Sequence, residues 1–396
     1  MESLSFLVLS FKKGFKDTLL YHPLAWKIYI SRTESGSPIN LGNFSPLSQE
    51  RYQPNSSYGP LTINDCGFIG NTSIREKDCS KILKSQNYFK VFLLGGSSAA
   101  GAGVNSNEET ISAILENKLL KRYPLKKIKV INFGAGASYT YRQSQIIKSE
   151  IINYYPDIIM SFDGFNDAWY WQYQHNFQNF KLKNNKPIPN WADYSYKNYL
   201  FNLGFQNKRG NYLLPYLFRI SRKISSQFNS KNDPWKYSPE YILSRDIYSS
   251  PKIAARYFYN NIASMALLST FSNKNVCFFQ ILQGDVHNKL NMTEEERKNL
   301  ENWKDKISLK YRDFKKETHQ SKMLSMYEAY SKILFQDPYD LKKELKGRYK
   351  SLDYRNLMNE KGAGSTNYID NIHTNFEGNK IIAQQMLEDI LQSNCL

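Results

Sequence analysis

Long hydrophobic runs are missing from this 396-residue chain. No stretch approaches the ~18 consecutive apolar residues that a membrane-crossing helix needs, so no membrane span is expected. The apolar opening Leu4-Ser5-Phe6-Leu7-Val8-Leu9 is too short for the core of a secretion signal, follows Glu2 and has its lysines after it. It supports neither export nor anchoring, and the cytoplasm is the default expectation. Cysteine is scarce too. The four present, Cys66, Cys79, Cys277 and Cys395, show no metal-ligand spacing, and neither a metal nor an organic cofactor is expected. Cys277 falls in an apolar run that reads as a buried strand, which leaves a Cys66–Cys79 pair as the bridge to consider. Dense Arg/Lys clusters are also lacking. The net charge of +17 comes from lysines spread among abundant Asn, Ile and Tyr, with no nucleic-acid module, so no nucleic-acid partner is expected.

What is present suffices for a large buried core: 41% of the residues are hydrophobic. Residues 1–85 lack a sustained period and are rich in Ser, Asn, Pro and Gly, which predicts an irregular arm packed on a main domain over 86–396. Within the arm, Tyr58 to Phe68 reads as a short hairpin. From Phe89 a rhythm sets in: strand 89–94, helix 108–122, strand 128–133, helix 141–154, strand 157–162. Such alternation implies right-handed crossovers and a parallel sheet covered on both faces. The expected fold is α/β, a flavodoxin-like three-layer α/β/α domain with strand order near 2-1-3-4-5. Two stretches break the rhythm and read as insertions, about 168–250 and 285–365, the second with a charged helix near 293–317. Between them fall a helix at 252–271 and a strand at 275–282, and a final helix spans about 376–392.

The chain is organised around Val91-Phe92-Leu93-Leu94-Gly95-Gly96-Ser97. A buried strand that ends in two glycines and a serine, with a helix after it, lifts the serine hydroxyl to the carboxyl edge of the sheet, where open α/β folds hold ligands. Two other loops reach that edge. One carries Asp163-Gly164-Phe165-Asn166-Asp167 and the other Asp370-Asn371-Ile372-His373. The residue types suit acyl transfer: Ser97 needs a base, His373 can serve as one, and Asp370 can orient the imidazole and stabilise its charged form. Asn166 can donate to an oxyanion beside backbone N–H groups at Ser97 and near Gly136-Ala137.

With these blocks the chain resembles the SGNH/GDSL hydrolase family. Gly95-Gly96-Ser97 stands for its first block, Asn132-Phe133-Gly134-Ala135-Gly136-Ala137 for the second, Gly164-Phe165-Asn166-Asp167 for the third and Asp370-Asn371-Ile372-His373 for the fifth. The resemblance covers roughly 88–167 and 276–391, and Asn64-Asp65-Cys66-Gly67-Phe68 looks like a phrase that precedes the first block in some members. Two positions depart from the pattern. Gly96 replaces the usual Asp, and in the second block the expected glycine falls on Ala137, with Gly136 one position early. Both remain candidates for the oxyanion N–H.

The resemblance implies an SGNH hydrolase-like fold and a serine esterase with Ser97, His373 and Asp370 as triad and Ser97, Asn166 and Gly136 or Ala137 as oxyanion hole. The expected substrate is an acylated small molecule or glycan, with an O-acetyl ester on a carbohydrate first, because the insertions are polar and aromatic rather than greasy. Trp169, Tyr170 and Trp171, directly after the third block, either stack on sugar rings or form the insertion's own core. A lipid or thioester acylhydrolase, a glycan O-acyltransferase and a non-catalytic glycan-binding module fit the same scaffold. Oligomeric state is not legible in the sequence.

Overall fold

The computed structural model of the chain describes residues 52, 54–73, 78–169, 250–310 and 316–396. Most of the first predicted insertion, with Tyr170 and Trp171, and the opening segment read for a signal lie outside them. The described elements begin with a hairpin, β1 (Ser57–Tyr58) and β2 (Leu61–Thr62), and helix α1 (Cys79–Lys84). The sheet domain follows with β3 (Phe89–Gly95), α2 (Ser97–Ala100), α3 (Ile111–Arg122), β4 (Ile128–Asn132), α4 (Thr140–Ser149) and β5 (Ile158–Asp163). After the undescribed stretch come α5 (Pro251–Ser269), β6 (Cys277–Leu282), α6 (Glu294–Lys310), α7 (Lys316–Gln336), β7 (Tyr349–Asp353) and α8 (Phe376–Leu391).

Strands β3 to β7 form one sheet in the order β4-β3-β5-β6-β7, all parallel, which is the expected 2-1-3-4-5. Alternation along each strand divides the core into two layers. Val91, Leu93, Ile158, Met160, Cys277 and Phe279 face α3 and α8, whose Ile111, Leu115, Leu119, Ile382, Met386 and Ile390 complete that layer. Phe92, Leu94, Ile159 and Phe278 face the other way, onto Ile147, Phe258, Ile262, Met323 and Tyr330 of α4, α5 and α7. A sheet covered on both faces favours near-continuous apolar strands, and β3, β5 and β6 are such runs, broken by the buried Lys90, Ser161, Asp163 and Gln280.

Strand β7 does not. Tyr349-Lys350-Ser351-Leu352-Asp353 is a mostly half-buried edge strand, and it lies inside the stretch 285–365 that the sequence reads as an insertion. That stretch thus supplies the fifth strand as well as α6 and α7. The disulfide is one that the sequence does not suggest: the bridge is Cys277–Cys395, and Cys66 and Cys79 both remain thiols. Its cause is packing, since α8 covers the layer that Cys277 faces and delivers the residues after it to the start of β6. The arm lies along the opposite edge. Ile69 bridges antiparallel to Asn132 of β4, and Tyr52, Leu61, Ile63 and Ile69 pack on Ala100 and Val104. Among the described residues no helix is long and apolar enough to cross a membrane.

Candidate active site

Ser97 is the first residue of α2, directly beyond β3. The turn that places it depends on glycine. Gly95 has φ +158°, and a Cβ there would come within 2.6 Å of Ala99 Cβ and 2.7 Å of Phe162 O. A Cβ on Gly96 would meet Asn166 Nδ2 at 2.3 Å, so glycine at this position makes room for the Asn166 amide against the turn. Ser98 points elsewhere: it is buried, its hydroxyl 3.4 Å from the carbonyl of Ile372.

The three residues predicted as a triad meet. Ser97 Oγ is 2.7 Å from His373 Nε2, and His373 Nδ1 is 2.6 Å from Asp370 Oδ2. The other oxygen of Asp370 accepts from the backbone N–H groups of Ile372 at 2.9 Å and His373 at 2.8 Å. Burial pushes the Asp370 carboxyl up, but the imidazole beside it and these two N–H groups outweigh burial and hold it below the usual carboxylate range. A charged carboxylate on Nδ1 leaves Nε2 free to take a proton from the hydroxyl.

The loop that carries Asp370 and His373 is closed on itself by an antiparallel bridge between Tyr368 and Thr374 and anchored below by a buried ion pair. Lys289 Nζ donates to both oxygens of Glu296, at 2.9 and 2.8 Å, to Asn367 Oδ1 at 3.0 Å and to the carbonyl of Ser365. Glu296 in turn accepts from the N–H groups of Asn367 and Tyr368, 2.8 and 3.2 Å away. Neither side chain of the pair is exposed, and the Glu296 carboxyl, raised by burial, ends below its ordinary range through these partners. The Val286 N–H, at the end of the loop after β6, adds a bond to the carbonyl of Asn371.

Asn166 lies in the first helical turn after β5, and its amide donates to the carbonyl of Ser138 at 2.7 Å. Gly164 makes room for that turn: it has φ +126°, and a Cβ would strike Leu282 at 2.5 Å. Beside Asn166, Asp167 accepts from the Thr140 hydroxyl at 2.5 Å and the Thr140 N–H at 3.3 Å. Asp163 accepts from the Gln143 amide at 2.5 Å and from the Ser161 hydroxyl. Burial raises both carboxyls, and Asp163 raises Asp167 further.

The second block forms a turn in which the Ser138 N–H donates to the carbonyl of Ala135 at 3.1 Å, with Ala137 at φ +60°. Of the two candidate donors here, Gly136 N–H is bonded to the hydroxyl of Tyr52 at 3.3 Å. Asn132 secures the base of the block, donating to the carbonyl of Ala99 at 2.9 Å and accepting from Gly134 N–H at 2.9 Å. Nothing in the sequence points to Tyr52, Thr140 or Gln143 as members of this neighbourhood. Their partners lie 20 to 84 residues away, so no local pattern marks them.

Trp169 is half-buried in an aromatic cluster. It stacks on Phe165 with centroids 5.9 Å apart and meets Trp303 and His319 edge-on, each at 5.6 Å. His319 and its neighbour His287 are buried, and burial lowers them to about 3 and about 4, so both rings are neutral near pH 7. Among the described residues, Asp65, Cys66 and Cys79 of the arm bring ligand atoms within 4.8 Å of one another, and none of them is in the triad.

No protein-family model and no curated protein matches the chain. Solved structures similar to it include the acetyl xylan esterase AlAXEase, 13% identical over 76% of this chain and 100% of that one, with a TM-score of 0.38. An acetyl xylan esterase from Geobacillus stearothermophilus is 13% identical over 78% and 96% of the two chains, TM-score 0.37. A lipase from a goat rumen metagenome is 11% identical over 78% and 100%, TM-score 0.39. Likenesses this distant leave reaction and substrate to be read from the residues.

Proposed function

We propose that the chain is a serine esterase of the SGNH/GDSL type. Ser97 Oγ attacks an ester carbonyl as His373 Nε2 takes its proton, and Asp370 holds the ring and stabilises its charge. The tetrahedral oxyanion is met by the Ser97 N–H, by Asn166 and by a backbone N–H of the Gly136-Ala137 turn. Asn166 spends one amide hydrogen on Ser138 and keeps the other for this task. His373 then protonates the leaving alcohol, and water attacks the acyl-enzyme by the same route in reverse. The observation that carries the reading is the chain of two short contacts from Ser97 Oγ through His373 to Asp370.

We assign the substrate to O-acyl esters of carbohydrates, an O-acetyl group first. The support is the polar and aromatic sequence that follows Asn166, with Tyr170 and Trp171 as the rings to stack on sugar, since Trp169 packs on Phe165, Trp303 and His319.

The test is a fluorophosphonate probe together with a short-chain aryl acetate. Wild-type protein is expected to be labelled on Ser97, and Ser97→Ala to lose label and at least about 10³-fold in kcat with an unchanged melting temperature. Labelling elsewhere, or full activity in Ser97→Ala, would overturn the assignment. Acetate release from an acetylated oligosaccharide, compared with release from an acylglycerol, tests the substrate class.

A further inference from the structure

We propose that Tyr52, in the N-terminal arm, is a positioning residue for the oxyanion site: by holding Gly136 N–H it fixes the Ala135–Ser138 turn so that Ala137 N–H is the one presented to the substrate. The inference rests on the esterase reading and deepens it.

The turn is held on both flanks of Ala137. Upstream, Gly136 N–H bonds the Tyr52 hydroxyl, and downstream the carbonyl of Ser138 accepts from Asn166. Between them Ala137 sits at φ +60°, a conformation that a residue with a Cβ disfavours and abandons when it is not constrained. An amide already bonded to a phenol is a poor second donor, which makes its neighbour's N–H the effective one.

Tyr52 is built in to do this. Its ring is 6% exposed and packs on Tyr58 with centroids 4.9 Å apart. Gly67, at φ +83°, lets the arm fold over it: a Cβ there would lie 2.5 Å from the Tyr52 carbonyl. Burial, with Tyr58 beside it, pushes the phenol upward, so it stays a neutral acceptor and donor throughout the range in which an esterase works. The Ile69–Asn132 bridge ties the same arm to the base of the second block.

The experiment compares Tyr52→Phe, Tyr58→Phe and Tyr52→Phe/Ala137→Gly on an aryl acetate. Tyr52→Phe keeps the ring and removes the acceptor. It is expected to lower kcat about tenfold with KM within about twofold, the signature of an interaction used in the transition state. Tyr58→Phe is expected to keep its kcat. Glycine adopts a positive φ without a latch, so Ala137→Gly in the Tyr52→Phe background is expected to recover most of the loss. An unchanged kcat in Tyr52→Phe, or a loss that Ala137→Gly leaves in place, would overturn the inference. Exchange of the Gly136 amide reads the latch without catalysis and is expected to be about tenfold faster in Tyr52→Phe; equal exchange overturns the proposal. Phosphonate labelling of wild-type Ser97 marks failure of the esterase reading separately.

Discussion

Aspartates at the carboxyl edge of the sheet are held in two opposite ways. Asp370 is 25% exposed and surrounded by two backbone N–H groups and an imidazole, which together keep it charged. Asp163, Asp167 and Asp285 are buried and meet hydroxyl, amide and backbone donors, and burial pushes each of them up. On the esterase reading the difference is one of task. A carboxylate that stabilises an imidazolium must bear charge, whereas one that braces a loop does so as well when it carries a proton, and neutrality spares the cost of burying an ion.

The strongest test of this contrast is Asp370→Asn, which keeps the shape but loses the charge and the correct imidazole tautomer. The expected loss in kcat is about 10⁴-fold, with an unchanged melting temperature. A loss below about tenfold would mean that Asp370 acts as a brace, like the buried three.

The second test is pH. Burial moves Asp285 from 3.8 to about 7, so between those values the unfolded chain has released a proton that the folded chain retains. Stability contributed by this group is therefore lost as pH rises from about 4 to about 7. Asp285→Asn removes that slope. Measured as the difference in unfolding free energy between variant and wild type, the variant should gain about 1 kcal/mol per pH unit between pH 5 and 7. The buried histidines, whose slopes run the other way, cancel in that difference. A flat difference would place a charged carboxylate at Asp285.

The smallest effect is expected from Asp167→Asn, although it adjoins Asn166. Replacing a carboxyl already held by neutral donors should change kcat by less than about threefold. If steady-state kinetics instead show a loss comparable to that of Asp370→Asn, the two classes collapse into one.

Much of this arrangement was legible in the sequence. The runs at 89–94 and 275–282 read as buried strands because both faces are covered, and their alternation with helices marks a parallel sheet. Ser97, Asp370 and His373 stood out because glycine turns and a three-residue spacing are local signals. What stayed hidden has no local signal. Strand β7 is polar because it lies at an edge, so it left no apolar run. The Cys277–Cys395 bridge spans 118 residues, so no local spacing announces it. Tyr52 meets Gly136 only after the arm has folded back along β4.

The ion pair beneath the His373 loop constrains how this protein can evolve. Lys289 and Glu296 are both fully enclosed, and each is the other's charge partner. Loss of either alone strands a buried charge at a cost of about 3–5 kcal/mol, a large part of the roughly 5–15 kcal/mol that keeps a domain folded. An apolar pair of similar volume would be tolerated at the same two positions, but every single-step route to it passes through such an intermediate. Lineages of this protein should therefore keep both residues, or exchange both together once stability has been gained elsewhere.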